Sequence, residues 1–449
     1  MRFPISLVIA AALVPSLAAA DPIGEIIVDK NTKTTDDTVM FISKIEVGDD
    51  WTGEMADAIK VRLVSSGLFK EVEVWVDPVP TKNGGIRVHL EVVDKHSWVI
   101  APAFYNQPTN TGGGIGFGEN NLFGANQKLL LYGQIATGDS FFIGAWQLPS
   151  IAGTRFFAQF DTYLVSQRNF EYESATKWLA SPRPLRESRM LYLNNGARLG
   201  VDIYRGIRLS SRLRGAKVSF SDVKLAEGAT KQQLGLDESD SIPKPGKEGW
   251  DVSTEVNLTI DRRANWYGVQ SGYRYSVSYE VALPQLGSDF DYKLVNVNMF
   301  RAWQVLERHN FIWKLGGAYG SHLPFQQEFL MGGTSMRGWL NNQFRGDFKV
   351  QTNLEYSFPM FTAWGLSVRG LGFLDSGYTT YFKDNPAVNP DRNYLPLAGT
   401  AGLAPFKNSV GVGTRFYLRQ IVLPLLGLDV GFGLESQDVQ VYLAIGLTD

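Results

Sequence analysis

The chain contains no cysteine, which removes disulfides, thiolate metal sites and thiol chemistry together. Its four histidines, His89, His96, His309 and His322, are scattered at spacings unsuited to a shared metal. Neither charge sign is in surplus: 43 basic against 45 acidic side chains leave a formal net charge of -2 over 449 residues, so nothing calls for a nucleic-acid partner. A G-x-S-x-G nucleophile motif is missing. These absences read as a protein that is not an enzyme and uses neither cofactor nor metal. Long apolar runs are also lacking. The one sustained apolar segment, Ile5 to Leu17, follows Arg2 and closes on Ala18-Ala19-Ala20. It is shorter than the roughly 20 residues a membrane helix needs, so residues 1–20 read as a secretory signal and not as an anchor. Export without a helical span leaves the periplasm, the outer membrane or the exterior.

What is present divides near residue 95. Over 21–95 the chain runs from a strand-like Gly24 to Asp29 to a short helix around Val39-Met40-Phe41-Ile42. A second helix follows, with Thr52 as its N-cap, Met55, Ile59 and Leu63 on one face, and Gly67 as its stop. Two strands, Glu71 to Val76 and Ile86 to Val93, flank a turn containing Pro78, Pro80 and Asn83-Gly84-Gly85. The order is β-α-α-β-β, a small α+β domain.

Over 96–449 the period changes to two. In Trp250 to Asp261 the residues Trp250, Val252, Val256, Leu258 and Ile260 alternate with Asp251, Ser253, Glu255, Asn257 and Asp261. Arg155 to Gln167, Tyr273 to Val281, Phe348 to Phe358 and Val439 to Leu447 repeat the pattern, and roughly sixteen such segments can be counted. The long linkers, 168–188, 221–248, 321–346 and 376–406, all follow odd-numbered segments. A meander closed into an outer-membrane barrel places long loops at one end and short turns at the other, as this parity requires. A soluble β-sandwich or propeller is the competing fold, but no blade repeat is present, and the 11 Trp, 18 Tyr and 27 Phe suit interface girdles. In the barrel, Asp251, Glu255, Lys349 and Glu355 point into the lumen, because a basic side chain at the lipid midplane costs about 2 to 4 kcal/mol.

Within the linker 321–346, Phe329 to Trp339 reads FLMGGTSMRGW. Gly332 and Gly333 are hinge candidates, and Arg337, followed by Gly338 and Trp339, is a cation that needs a partner if enclosed. Along 364–375, Ser367, Arg369 and Asp375 share the polar face, so Arg369 and Asp375 point inward. Pro102 cannot donate to a ladder, and alternate glycines thin the second strand. This predicts a weak seam between first and last strands, at Pro102, Ala103, Ala444 and Gly446; a bulge near the barrel rim is the alternative.

Two resemblances follow from these motifs. Ile45 to Phe69, with Gly48-Asp49, Arg62-Leu63 and Ser66-Gly67-Leu68-Phe69 leading into Val72-Glu73-Val74, resembles a polypeptide-transport-associated (POTRA) domain, a generic α+β domain being the alternative. The resemblance implies a polypeptide-binding sheet edge at Glu71, Val72, Glu73, Val74, Trp75 and Val76, which would act by β-augmentation. The second covers the remainder: Gly114 to Gly118 with Asn121 to Gly124, Leu148-Pro149 to Gly153, Asp261-Arg262-Arg263 with Gly268, Gly332 to Trp339, Glu355 to Pro359, and Gly372 to Gly377. In this order they resemble the bacterial surface-antigen superfamily of outer-membrane assembly factors, which includes BamA-type insertases, translocation-and-assembly factors and two-partner secretion transporters. That resemblance implies a sixteen-stranded transmembrane barrel and an inward-folded loop whose arginine meets an aspartate on the thirteenth strand, here Arg337-Gly338-Trp339 and Asp375, with Glu355 and Arg369 as further lumen charges. Two unrelated lumen charges are the alternative. The single POTRA-like module and the non-aromatic ending at Asp449 depart from the family pattern. The implied function is an outer-membrane translocase or assembly factor that takes unfolded outer-membrane or secreted polypeptide, with outer-membrane lipid as its other partner and the POTRA domain in the periplasm. A passive channel with a periplasmic adaptor, or a secretion pore for one separately encoded partner, are the alternatives.

Overall fold

The computed structural model describes residues 21–449 except 78–83, 108, 152, 173–182, 205, 267–268, 364–365, 382–388, 396–405, 419–423 and 446–449. The signal-like stretch 1–20, the turn at 78–83 and Gly446 lie outside the described residues. Two compact units result, one reaching Ser97 and including Phe123–Asn126, the other comprising Trp98–Leu122 and Gln127–Asp449.

The first unit holds β1 (Ile23–Asp29), α1 (Asp36–Ser43), α2 (Met55–Ser65), β2 (Phe69–Asp77) and β3 (Ile86–Asp94). The central strand β3 runs parallel to β1 and antiparallel to β2. Its alternation puts Ile86, Val88, Leu90 and Val92 on one buried face, against Val39 of α1 and Ile59 and Leu63 of α2. The Thr35 hydroxyl caps α1 by accepting from the Thr38 N–H, and Asp36 and Asp37 sit favourably in the first turn against the helix dipole. The start of α2 differs from expectation. Glu54 occupies the cap position without a side-chain bond, and the Thr52 carbonyl accepts the Met55 N–H at 3.0 Å. A backbone turn thus replaces the expected Thr52 cap. Gly67 ends the helix region at φ +76°, in the left-handed region that favours glycine.

Asp94 gathers the connection between β1 and α1. Its Oδ2 accepts from the backbone N–H of Thr32 and of Lys33 at 2.7 Å each and of Thr34 at 3.2 Å, while Oδ1 takes the Thr34 hydroxyl. Partial burial pushes this carboxyl upward, but the Thr34 hydroxyl and the three amides outweigh burial and hold it below the usual carboxylate range. A folded-state value below the unfolded one contributes stability that is present above the unfolded pKa, about 3.9, and is lost as pH falls through the folded value. Acidification below about pH 4 is therefore expected to loosen this connection in the wild type. In Asp94→Ala it should already be loose at neutral pH. Amide hydrogen exchange at Thr32 to Thr34 reads both, and equal protection in the two proteins at neutral pH would discount Asp94.

The second unit is a closed antiparallel barrel of sixteen strands. In order these are β4 (Trp98–Gln107), β5 (Asn110–Leu122), β6 (Gln127–Ala136), β7 (Asp139–Leu148), β8 (Phe156–Tyr172), β9 (Pro184–Tyr204), β10 (Ile207–Leu225), β11 (Gly249–Asp261) continued after a break by β12 (Ala264–Trp266), β13 (Val269–Ala282), β14 (Lys293–Leu306) and β15 (His309–Ser321). After a small internal hairpin, β16 (Phe329–Met331) and β17 (Phe344–Gly346), come β18 (Phe348–Ala363), β19 (Leu366–Thr380), β20 (Lys407–Leu418), β21 (Pro424–Gly433) and β22 (Val439–Ile445). Trp250, Val256 and Leu258 are exposed on the outer face of β11, whereas Asp251 between them is fully buried.

Four strands outrun the expected boundaries: β8 and β10 extend to Tyr172 and Leu225, β9 begins at Pro184, and β19 ends at Thr380. Arg168, Asn169, Glu171 and Arg186 to Arg189 put polar residues on both faces, so alternation ceases while the ladder continues, with Glu171 opposite Arg186. The glycines of β5 also read differently in three dimensions. Pairing of β5 with both β4 and β6 is continuous through Gly112, Gly114 and Gly116. A Cβ would lie 2.9 Å from the Tyr132 hydroxyl at Gly114 and 3.2 Å from the Tyr132 ring at Gly116. Gly114 and Gly116 make room for the Tyr132 ring, Gly112 lies against Ala136, and the β4–β5 pairing runs through all three.

Candidate functional site

Between β15 and β18 the chain turns into the barrel. Gln327 donates to Asp251 on β11 at 3.0 Å, Asn353 on β18 donates to the Ser335 carbonyl at 3.1 Å, Gly338 N–H donates to the Tyr442 hydroxyl on β22 at 3.1 Å, and Asn341 donates to Gln107 on β4 at 2.9 Å. A segment that reaches strands around most of a closed barrel can only lie inside it.

The loop is shaped by its hairpin and glycines. β16 and β17 pair over three residues, which brings Gly332 and Gln343 together at the tip. Gly332 and Gly333 have φ of +124° and +66°, and a Cβ on either would stand 2.2 Å from Leu340 O or Asn341 Oδ1. Gly333 N–H then bonds the Trp339 carbonyl at 3.1 Å, closing the tip on itself. Trp339 packs edge-on to Phe344 at 5.2 Å in a buried cluster with Met331 and Met336. At the root, buried Glu328 receives Arg345 and Arg392, each at 2.8 Å.

This framework holds Arg337 with 4% of its surface exposed. Its Nε and Nη2 form a fork onto the two oxygens of Asp375 at 2.9 and 2.8 Å, and its own backbone N–H adds a third bond at 3.1 Å. Nη1 meets Glu355 at 2.8 Å and Asp429 on β21 at 3.5 Å, and the guanidinium lies 3.5 Å from the centre of the Phe373 ring. Arg415 on β20 pairs in turn with both oxygens of Asp429, at 2.6 and 2.8 Å. Two guanidinium groups and three carboxylates thus form one buried network. The Tyr442 hydroxyl completes the seat: it accepts from Gly338 and donates to the Trp339 carbonyl at 2.7 Å.

Arg337, Gly338, Trp339, Asp375 and Glu355 converge. Arg369 does not join them. It bonds the Ser357 hydroxyl at 3.0 Å and the Arg308 carbonyl at 2.9 Å, near the β14–β15 turn, because it lies six residues before Asp375 on a strand that rises steadily along the barrel. Asp429, Arg415 and Tyr442 were missed by sequence reasoning. For Asp429 and Arg415 the signal available was their place in strand interiors, where a charge must face the lumen; the neutral Tyr442 gave none.

At the seam, among the described residues, Leu443 of β22 pairs with Asn106 of β4, Ala444 with Tyr105 and Ile445 with Phe104. On the other side of β4, Pro102 and Ala103 pair with Ile115 and Gly114 of β5. In the first unit, β2 is an edge strand that carries Glu71, Val72, Glu73, Val74, Trp75 and Val76. Val72 points into the core, Glu71 and Glu73 are exposed, and the Trp75 ring stacks on His89 at 5.0 Å.

Among solved structures, the fold is similar to BamA from Haemophilus ducreyi lacking POTRA domains 1–3, at 16% identity and TM-score 0.64, covering 95% of this chain and 84% of that one. It is similar also to CdiB from Acinetobacter baumannii (14% identity, TM-score 0.64, 95% and 74% coverage) and CdiB from Escherichia coli (12%, 0.64, 95% and 76%). No curated protein sequence matches. The Omp85 superfamily domain model matches residues 121–438, well over half of the sequence, and the chain belongs to the Omp85 superfamily.

Proposed function

We propose that this outer-membrane barrel is a translocase or assembly factor that accepts unfolded polypeptide at the β2 edge, Glu71 to Val76, and inserts it into or passes it across the membrane through the barrel or its lateral seam. On this reading residues 1–20 direct export, the first unit is periplasmic, and Arg337, Gly338, Trp339 and Asp375 lock a lumen loop hinged at Gly332 and Gly333. Strand addition suits such a client because main-chain hydrogen bonds demand no particular sequence.

The observation that carries the proposal is the Omp85 superfamily domain match over residues 121–438, on a closed barrel that follows a small α+β domain with an open β2 edge. The lateral route is the seam between β4 and β22. The chain has no cysteine of its own, so the double substitution Tyr105→Cys with Ala444→Cys gives a clean lock across directly opposed residues. Oxidation is expected to abolish client transport, and reductant to restore it. Full transport with the disulfide formed would rule out opening of the seam.

A passive channel predicts instead an unchanged outer-membrane proteome on depletion, and a dedicated secretion pore predicts loss of one exported protein. The loop joining Asp251 on one side of the lumen to Asp375 on another supports a gated path over a standing pore.

A further inference from the structure

We infer that the outer face of the β2 edge selects incoming strands by charge, admitting those that carry Lys or Arg at two alternate positions and an apolar or aromatic residue at the next. This names the class of segment the edge captures and rests on the strand-capture reading. The face concerned is the one that α1 and α2 leave bare. Glu71, Glu73 and Trp75 of β2 are exposed on it, while Val72 on the opposite face is buried in the core.

Register arranges the charges of this face in rows across the sheet. Glu73 of β2 stands opposite Glu91 of β3, which stands opposite Asp29 of β1, so three carboxylates share one row. Like charges directly opposed destabilise a sheet. Lys30 bonds Glu91, and His89 lies 3.9 Å from Asp29. Glu71 and Glu73 only draw on Lys30 from farther off, and neither has an ion-pair partner among the described residues. In the next row Trp75 stacks on His89, which faces Ile27. In the row beyond, Arg87 already serves Glu25 at 2.8 Å and Asp77 at 3.9 Å. The shortage of positive charge therefore falls on Glu71 and Glu73, at the open edge itself.

A strand added to β2 lengthens each row by one place, because its side chains alternate in step with those of β2. Two of its residues, two positions apart, then fall opposite Glu71 and Glu73, and the next alternate one falls opposite Trp75. Cations at the first two places relieve the opposed carboxylates, whereas acids there would add a fourth like charge to the Asp29 row. An aromatic or aliphatic side chain at the third covers Trp75, which is 40% exposed. The same carboxylates repel phosphate and anionic lipid. A metal ion fits less well: the carboxylates are strung across strands about 4.8 Å apart, and no acidic group among the described residues is arranged to hold one.

The test is titration calorimetry on the purified full chain in non-ionic detergent, at low salt and with EDTA. The probes are the peptide acetyl-SKVKVYVS-amide and the same peptide with both lysines replaced by glutamine or by glutamate. The lysine peptide is expected to bind about three- to tenfold more tightly than the glutamine peptide, the weight of two opposite-charge cross-strand pairs. The glutamate peptide should bind more weakly than either, and about 0.5 M salt should narrow the differences. Glu71→Lys combined with Glu73→Lys should reverse the order, which peptide uptake by detergent would not do. No preference for lysine in the wild type, or an unchanged order in the charge-reversed variant, would overturn the assignment. Should that variant fail to fold, Glu71→Gln with Glu73→Gln decides: an undiminished lysine preference in it would overturn the assignment equally. Photocrosslinking of clients from Val74 in cells tests strand capture separately, so captured clients with no peptide preference would remove the charge rule alone.

Discussion

Arg337→Ala is expected to destabilise the barrel by about 3 to 5 kcal/mol, the cost of leaving one side of a buried ion pair uncompensated. The size follows from what remains behind. Asp375 has no exposed surface and would lose the two side-chain hydrogen bonds that Arg337 supplies. The third, from the backbone N–H at 337, persists only if the loop stays in place. Glu355 loses its 2.8 Å contact, while Asp429 keeps Arg415. Arg337→Lys should recover part of the loss, since an ammonium restores the charge but not the two-pronged geometry. Urea midpoints and the heat-dependent gel shift of the detergent-solubilised barrel measure both. Normal midpoints in Arg337→Ala would mean that the network braces nothing. A double-mutant cycle with Asp375→Ala should show strong coupling, because the two side chains share one interaction.

The second large effect is expected at Gly431, on the strand opposite the loop tip. A Cβ there would stand 2.5 Å from the backbone nitrogen of Gly338 and 2.8 Å from the carbonyl carbon of Arg337. Both are main-chain atoms, so no flexible side chain can yield, and β21 itself is fixed by ladders to β20 and β22. Gly431→Val should therefore unseat the loop while leaving the charges of the network intact, at a cost of about 1 to 3 kcal/mol. Met336→Cys, at a position with no exposed surface, serves as the reporter: maleimide should reach it readily in the Gly431→Val background and slowly without it. Gly215→Ala, where an added Cβ meets nothing within 4 Å, is the matched control on another strand. Equal labelling in all three backgrounds would show that the tip does not rest on β21. Together the two substitutions separate charge from shape, since one removes the ion pair and the other displaces the loop around it.

Much of this molecule was legible from alternation. The period of two marked Trp250 to Asp261 as a strand with Asp251 and Glu255 inward, and the parity of long and short connections gave the meander its two ends. The pattern failed where lipid stops. At these ends of β8 and β9 charged residues are buried beside Arg392 while Leu185 packs on Leu234 and Tyr381, so Glu171 and Arg186 looked like loop residues although they sit opposite one another in a continuing ladder. The first helix of the small domain, its core face and the edge position of β2 were likewise readable, whereas the start of α2 was not, because a backbone turn from Thr52 can replace a side-chain cap.

The sequence by itself determined which residues face inward, because a charge cannot be left in lipid and side chains alternate along a strand. It could not determine where around the barrel each inward residue stands. That depends on closure and on the stagger of the strands, which are properties of the whole ring. Asp375 could be paired with Arg337 through family resemblance, but Asp429, Arg415 and Tyr442 joined them only when β20, β21 and β22 were carried around to the loop tip. Closure likewise set Ala444 opposite Tyr105 and brought Gly431 beneath Gly338.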